Sequence, residues 1–212
     1  MSRWDISTTR HTYDVPAVMD VRDGPIAQLR LWLEAAHSAG SREANAMCLC
    51  TAGEDCRPAA RMVLLRGLDD RGLIFFTSYF SRKGRDLAHN PRASALFFWP
   101  EIHRQVSVSG AVEQLPEDES DAYFASRPRG HQLSAWASEQ SEEVESRQVL
   151  EGRLEDFTQR FEGTSVPRPH SWGGFLLRPE RFEFWQGRSD RMHDRLELRR
   201  DAAGWVQRRL QP

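Results

Sequence analysis

The chain has 212 residues, 29 Lys and Arg against 31 Asp and Glu, and 39% hydrophobic residues, which suits one domain with ample core, or one domain with appended helices. Arginines interleaved with acids along the whole length leave no basic tail or face for nucleic acid, and no apolar run approaches the roughly 20 residues of a membrane span. Met1–Ile6 lacks a signal-peptide core, and Cys48, Cys50 and Cys56 are odd in number and outside common zinc spacings, so the expectation is a cytoplasmic protein with reduced thiols and no metal.

Residues 1–22 show no clear period and read as an N-terminal arm, which leaves 23–212 as the domain. Pro25 sits at a first helical turn after Asp23-Gly24, and Ile26, Leu29, Leu33 and Ala36 keep helical spacing up to Gly40. From Ala46 the texture turns to short β-like runs at 46–52, 59–68, 73–78, 93–99 and 105–115. Gly53-Glu54-Asp55 and Asp69–Gly72 read as hairpin turns, and 81–89 reads as a short helix closed by Asn90-Pro91. Helical texture returns at 117–126, stops near Pro128 and resumes. Within 142–161, Leu150, Leu154, Phe157 and Phe161 follow the stripe of a helix lying on a core. After the stiff connector at 166–169, strand-like runs occur near 174–177, 181–186, 191–198 and 204–210. Short strands in series with intervening helices predict a mainly antiparallel sheet or barrel with helical decoration, not a doubly wound nucleotide fold.

The most pointed signal is Arg191-Met-His193-Asp-Arg195, which follows the aromatic run Glu183-Phe-Trp185-Gln-Gly187. On an extended strand, residues two apart share a face, so two guanidiniums and an imidazole would form a row that suits an anion. The plain alternative is a solvated edge strand with its charges outward. Further positions invite a similar question. Arg61 and Arg66 stand at the ends of one predicted strand. Phe76-Thr77 precedes Ser81-Arg82-Lys83-Gly84, a hydroxyl-and-cation loop suited to phosphate or simply exposed. Arg104-Gln105 enters a strand; Tyr123 and Arg127 lie four apart near a helix end; Ser138-Glu-Gln140-Ser141 could be no more than a helix N-cap. Lys83 is the only lysine, so its retention points to a role. Gly-rich nucleotide loops, a nucleophile elbow and zinc-protease spacing are absent, and the seven histidines form no metal-like pair.

Taken in order, Arg61–Leu65, Phe76-Thr77, Ser81–Gly84, Asn90-Pro91, Arg104-Gln105, Tyr123-Phe124, Ser126-Arg-Pro128, Gln140-Ser141, Trp172-Gly-Gly174, Glu183–Gly187, Arg191–Arg195 and Arg209-Leu-Gln-Pro212 resemble the FMN-dependent pyridoxamine/pyridoxine 5′-phosphate oxidase family. The resemblance runs from about Pro25 to Pro212 and implies a split β-barrel homodimer with FMN in clefts between subunits. By position it implies that Arg61, Arg82 and Lys83 hold the FMN phosphate, while Phe76, Thr77, Gln105, Gln140, Ser141, Trp185 and Arg195 line the rest of the flavin. The implied chemistry is hydride transfer to flavin N5 and reoxidation by oxygen to hydrogen peroxide, which requires no side-chain nucleophile.

Substrate is where the pattern departs. The family's substrate positions are kept at Tyr123, Arg127, Arg191 and His193, but Arg66 stands where the family has lysine and His131 where it has serine. The N-terminal lid motif is echoed by Arg10-His-Thr-Tyr13, about two residues short in its spacing to Pro25. An imidazole in place of a hydroxyl crowds a phosphate cup. This favours a reduced phenazine carboxylate, the substrate of a related branch in phenazine (antibiotic) biosynthesis. The alternative is pyridoxine or pyridoxamine 5′-phosphate oxidised to pyridoxal 5′-phosphate. The reading from another class is a flavin- or haem-binding split-barrel protein without oxidase activity.

Overall fold

The computed structural model describes Tyr13 and residues 19–212, so Arg10 of the expected lid lies outside the described residues. In chain order the elements are α1 (Gly24–Ser38), β1 (Ala46–Ala52), β2 (Pro58–Leu64), β3 (Gly67–Asp69), β4 (Gly72–Ser78), α2 (Arg82–His89), β5 (Arg92–Trp99), β6 (Arg104–Gln114), α3 (Glu117–Ser126), α4 (Arg129–Ala137), α5 (Arg147–Arg160), β7 (Trp172–Gln186), β8 (Asp194–Asp201) and β9 (Gly204–Leu210). The strands follow the order β2-β1-β5-β6-β7-β4-β3, with β8 on β7 and β9 on β8. Two compact units share these elements. One holds the described residues through Ala44, with Leu96–Val108 and Arg181–Pro212; the other holds Asn45–Ala95 and Ser109–Glu180.

In the second of these units, β1 and β2 form a hairpin with Ala52 opposite Pro58, and β3 and β4 a tighter one with Asp69 opposite Gly72. β4 continues onto β7, from Leu73 opposite Leu177 to Ser78 opposite Trp172. Ser81 ends the turn after β4 and caps α2, its hydroxyl accepting from Gly84 N at 3.3 Å. The helices α3, α4 and α5 close over Phe124, Leu133, Phe161, Val166 and Trp172, with Phe76, Tyr123, Trp136 and Phe157 packed against them. Each large side chain buried in this way contributes roughly 1.5–3 kcal/mol.

In the first unit, Pro25 opens α1, whose buried stripe is Pro25, Leu29, Trp32 and Ala36. Trp32 meets Phe184 edge to face at 5.2 Å, and the Trp99 indole N–H donates to Ala44 O at 2.8 Å. The end of β7, β8 and β9 form a meander in which Glu183 faces Glu197 and Arg195 faces Leu210. Leu196 and Leu198 supply its buried side, beneath Phe182 and Phe184.

Four element boundaries differ from expectation. The run 59–68 breaks at Leu65-Arg66, where the Leu65 N–H bonds back to Asn45 O and Arg66 N–H to Ile74 O, so Arg66 leaves the β2 ladder. The runs 174–177 and 181–186 are one 15-residue strand that continues through Pro179. The helix expected from 142 starts at Arg147, because the Ser146 hydroxyl caps it by accepting from Val149 N at 3.4 Å. None of its residues is fully buried, and Leu154 of the expected stripe is exposed. Most consequentially, the expected strand 191–198 begins only at Asp194. Ser189–Arg191 is a 3₁₀ turn with Asp190 and Arg191 at positive φ, closed by Met192 N–H donating to Ser189 O. Arg191, His193 and Arg195 therefore do not line one strand face.

Candidate functional site

Residues from β2, the bend after it, β4, α2, α3, α4 and the turn beyond α4 line an open cavity of about 970 Å³ in the unit that holds the hairpins. It gathers eleven of the predicted site residues: Arg61, Arg66, Phe76, Thr77, Arg82, Lys83, Tyr123, Arg127, His131, Gln140 and Ser141.

One end surrounds a buried ammonium. Lys83 is 7% exposed and donates to Thr77 Oγ1 at 3.1 Å, Ser81 Oγ at 3.2 Å and Gln140 Oε1 at 2.9 Å. Thr77 Oγ1 also donates to Gln140 Oε1, at 2.8 Å. None of the three acceptors is charged. Burial pushes the Lys83 pKa down to about 8, with Arg61 adding to the shift and Asp86 opposing it. Lys83 is held there by Gly84, where a Cβ would lie 2.1 Å from Tyr79 O; only glycine lets α2 sit this close to the preceding turn. Arg61 reaches across β1, donating to Thr51 Oγ1 at 2.6 Å and Leu49 O at 3.2 Å, with Asp86 at 3.5 Å. Thr51 in turn donates to Asp86 at 2.6 Å, which fixes the guanidinium from behind. Arg82 is exposed on the cavity rim, and Ser141 follows Gln140 in a turn with φ of 79°.

The other end is an aromatic wall with cations beside it. Phe76 stacks on Tyr123 at 3.8 Å and on Trp172 at 5.5 Å, nearly parallel to both. The Arg127 guanidinium lies 4.5 Å from the Trp172 ring centre, and its Nη1 is buried without a hydrogen-bond partner among the described residues. Burial pushes the Arg127 pKa down; Tyr123 works against the shift and Arg66 adds to it. A buried donor left unpaired costs about 1–3 kcal/mol, more on a charged group. Arg66 forms no ion pair among the described residues. His131 lies exposed in the first turn of α4.

The other five predicted residues belong to the other unit and none lines this cavity. Gln105 is half-buried on β6. Trp185, on β7, meets the His193 ring at 4.8 Å, and Tyr13 lies 6.0 Å from the same imidazole. Arg191 is exposed in the 3₁₀ turn. His193 Nδ1 accepts from the Arg188 backbone N–H at 3.0 Å, and burial, with Arg191 second, pushes its pKa down. On β8, Arg195 donates from Nε and Nη2 to Glu183 Oε1 at 2.8 and 2.6 Å, and from Nη1 to Gln211 O at 3.0 Å. Trp172 and Glu183 lie in segments that carry the family resemblance, but the sequence assigned neither a place in the site. Thr51 and Asp86 had no signal, because they act only through Arg61, which the fold brings to them.

Residues 33–161 match the family model described as pyridoxamine 5′-phosphate oxidase, and residues 172–212 match the pyridoxine 5′-phosphate oxidase C-terminal dimerisation region. The chain belongs to the pyridoxamine 5′-phosphate oxidase family. Relatives named pyridoxine/pyridoxamine 5′-phosphate oxidase include one from Rubrobacter xylanophilus, 52% identical over all of this chain and 98% of its own length. Another, from Burkholderia thailandensis, is 53% identical over 91% of each chain. Among solved structures, PhzG from Burkholderia lata 383 in complex with tetrahydrophenazine-1-carboxylic acid aligns with a TM-score of 0.86 at 37% identity, over 91% of this chain and 95% of that one. A pyridoxamine 5′-phosphate oxidase-related, FMN binding protein from Nostoc punctiforme shares the fold, with a TM-score of 0.65 at 17% identity.

As a member of the pyridoxamine 5′-phosphate oxidase family, the protein is an FMN-dependent oxidoreductase with the split-barrel fold, and its last 41 residues match a dimerisation region. The residues present fit a flavin phosphate. Lys83 holds its charge against three neutral oxygens, Arg61 is braced by Thr51 and Asp86, and Arg82 is exposed beside them. No described helix is long and apolar enough to cross a membrane.

Proposed function

We propose that this protein oxidises pyridoxine or pyridoxamine 5′-phosphate to pyridoxal 5′-phosphate, with FMN in the cavity beside β2, β4 and α2. The observation that carries the substrate assignment is the grouping of Arg66, Tyr123, Arg127 and His131 along one side of the cavity, where they can meet an anion. Four donor groups suit the three terminal oxygens of a phosphate better than the two of a carboxylate. The exposed position of His131 weakens the steric case against a phosphate, because the imidazole has room outside the cup. The curated relatives at 52 and 53% identity support the same reading.

FMN, when bound, would supply the redox chemistry, as hydride acceptor with O2 as final oxidant giving hydrogen peroxide; from the amine substrate, water would then hydrolyse the resulting imine to the aldehyde and release ammonia. The protein's own work is placement. Lys83, Arg61 and Arg82 hold the cofactor phosphate, and Thr77 and Gln140 keep the Lys83 ammonium oriented. Phe76, Tyr123 and Trp172 give a flat, water-excluding wall, and Arg66, Arg127 and His131 hold the substrate anion. The family resemblance of the sequence further assigns Gln105, Trp185 and Arg195 to a flavin and Arg191 and His193 to a substrate ring. No side chain forms a covalent bond to substrate.

A second reading, a reduced phenazine carboxylate as substrate, is supported by the likeness to PhzG and by Arg66 and His131 in place of lysine and serine. Anaerobic mixing of the FMN-loaded protein with pyridoxine 5′-phosphate should bleach the flavin, and air should restore it, with kcat/KM of roughly 10⁴ M⁻¹s⁻¹ or better. Bleaching by a dihydrophenazine carboxylate alone would overturn the phosphate assignment. Gain of pyridoxine 5′-phosphate activity only in the Arg66→Lys, His131→Ser double variant would mark those two positions as the specificity switch.

A further inference from the structure

The segment between β7 and β8 is held by a relay of hydrogen bonds that ends on a ring nitrogen. Asp194, 14% exposed at the side chain, accepts from Arg188 Nε at 2.6 Å on one oxygen and from Arg209 Nη1 at 2.7 Å on the other. Met19 N–H adds a longer contact at 3.5 Å, and Arg209 Nη2 donates to Met19 O at 3.2 Å. The backbone N–H of the same Arg188 donates to His193 Nδ1 at 3.0 Å. Arg209 is thus linked through one half-buried carboxylate to the residue whose amide faces His193.

An N–H aimed at Nδ1 requires a lone pair there, since a proton on Nδ1 would set two donors head to head. The hydrogen bond made by one ring nitrogen decides which nitrogen carries the proton, so the neutral ring is protonated at Nε2. The surroundings favour the neutral ring. Arg188 and Arg191 are the cations on its own segment, Asp194 is committed to Arg188 and Arg209, and the packed neighbours Trp185 and Tyr13 are uncharged. His103 lies on Tyr13, with ring centres 4.5 Å apart. Burial and Arg191 both push the His193 pKa down.

We propose that Asp194 and Arg209 are positioning residues that hold His193 in its Nε2–H form, so that it meets the substrate as a hydrogen-bond donor and not as a base. The contact with substrate rests on the function proposed above; the tautomer itself does not. It also gives the closing Arg209 a role that sequence alone left unassigned.

The test is nitrogen NMR of the FMN-loaded protein labelled in its histidine rings, with His193 assigned by its loss in His193→Asn. The native ring should show an unprotonated Nδ1 and a protonated Nε2 across neutral pH. Asp194→Asn should mix the two tautomers and lower kcat/KM on the order of tenfold, the cost of one misplaced hydrogen bond, at unchanged flavin content. Arg209→Ala should do the same, and Arg209→Lys, which keeps one cationic donor, should recover part of the loss. A native His193 protonated at Nδ1, or tautomer signals unmoved in Asp194→Asn, would overturn the proposal, even if that variant were less stable. The expected tautomer in a protein that oxidises neither substrate would sink the functional reading and leave the relay standing.

Discussion

Lys83 has three N–H bonds and three oxygens to receive them, none of which carries a charge. Its ammonium is therefore desolvated without an ion pair, and a phosphate dianion is the partner that would compensate it. With the phosphate taking the place of one of these neutral acceptors, replacing Lys83 by Ala should weaken FMN binding by roughly 1.5–3 kcal/mol, the scale of a hydrogen bond to a charged group, and riboflavin binding much less. Fluorescence titration with both flavins checks this, and equal losses would show that the lysine does not meet the phosphate. A pH dependence follows from the depressed pKa. In the flavin-free protein Lys83 is half deprotonated at about pH 8, so FMN affinity should decline as pH rises through that value. The stability of the flavin-free protein should move the opposite way. The cost of the buried ammonium is fully present below pH 8 and is relieved as pH rises toward the ordinary lysine value of 10.5. Lys83→Ala should remove both trends. The importance of this lysine was legible in composition, because it is the only one. Its bond to Gln140, 57 positions away, was not.

Helix α2 shows how an element serves the cavity. Ser81 starts it, and Gly84 lets its first turn press on the backbone of Ser78 and Tyr79, so that Lys83 points inward under cover. Gly84→Ala should cost roughly 1–3 kcal/mol in urea unfolding, because the contact is with backbone carbonyls that have little room to yield. It should also reduce flavin content, since Lys83 moves with the turn. A variant of native stability and full flavin content would show that α2 shifts freely. The boundaries of α2, the hairpins and α3 follow from local chemistry: an N-cap hydroxyl, Gly and Asp at turns, acids in a first turn. The 3₁₀ turn at Ser189–Arg191 does not. Alternation of charge and apolar residues predicts a strand, but the Arg188 amide bonds to a side-chain nitrogen, and Asp194 ties Arg188 to Arg209 from β9. A distant residue supplies the competing partner, so no local pattern announces it.

At the scale of the whole molecule, the match of residues 172–212 to a dimerisation region leads to the expectation of a homodimer. Sedimentation of the flavin-loaded protein should give twice the chain mass, and a flavin-saturated monomer would contradict it. The amino-acid sequence by itself determined the class of fold, the order of strands and helices along the chain and the family, and it named the candidate site residues. Each of these depends on residue type and on spacing over a few positions, where capping, turn preference and side-chain periodicity act. Only the tertiary structure decided how those residues are grouped. It gathered eleven into one cavity, left Gln105, Trp185, Arg191, His193 and Arg195 in the other unit, paired Arg195 with Glu183, and buried Arg127 Nη1 without a partner. Such grouping depends on which distant segments the burial of apolar surface draws together, and on which polar atoms that burial then leaves to find partners among themselves.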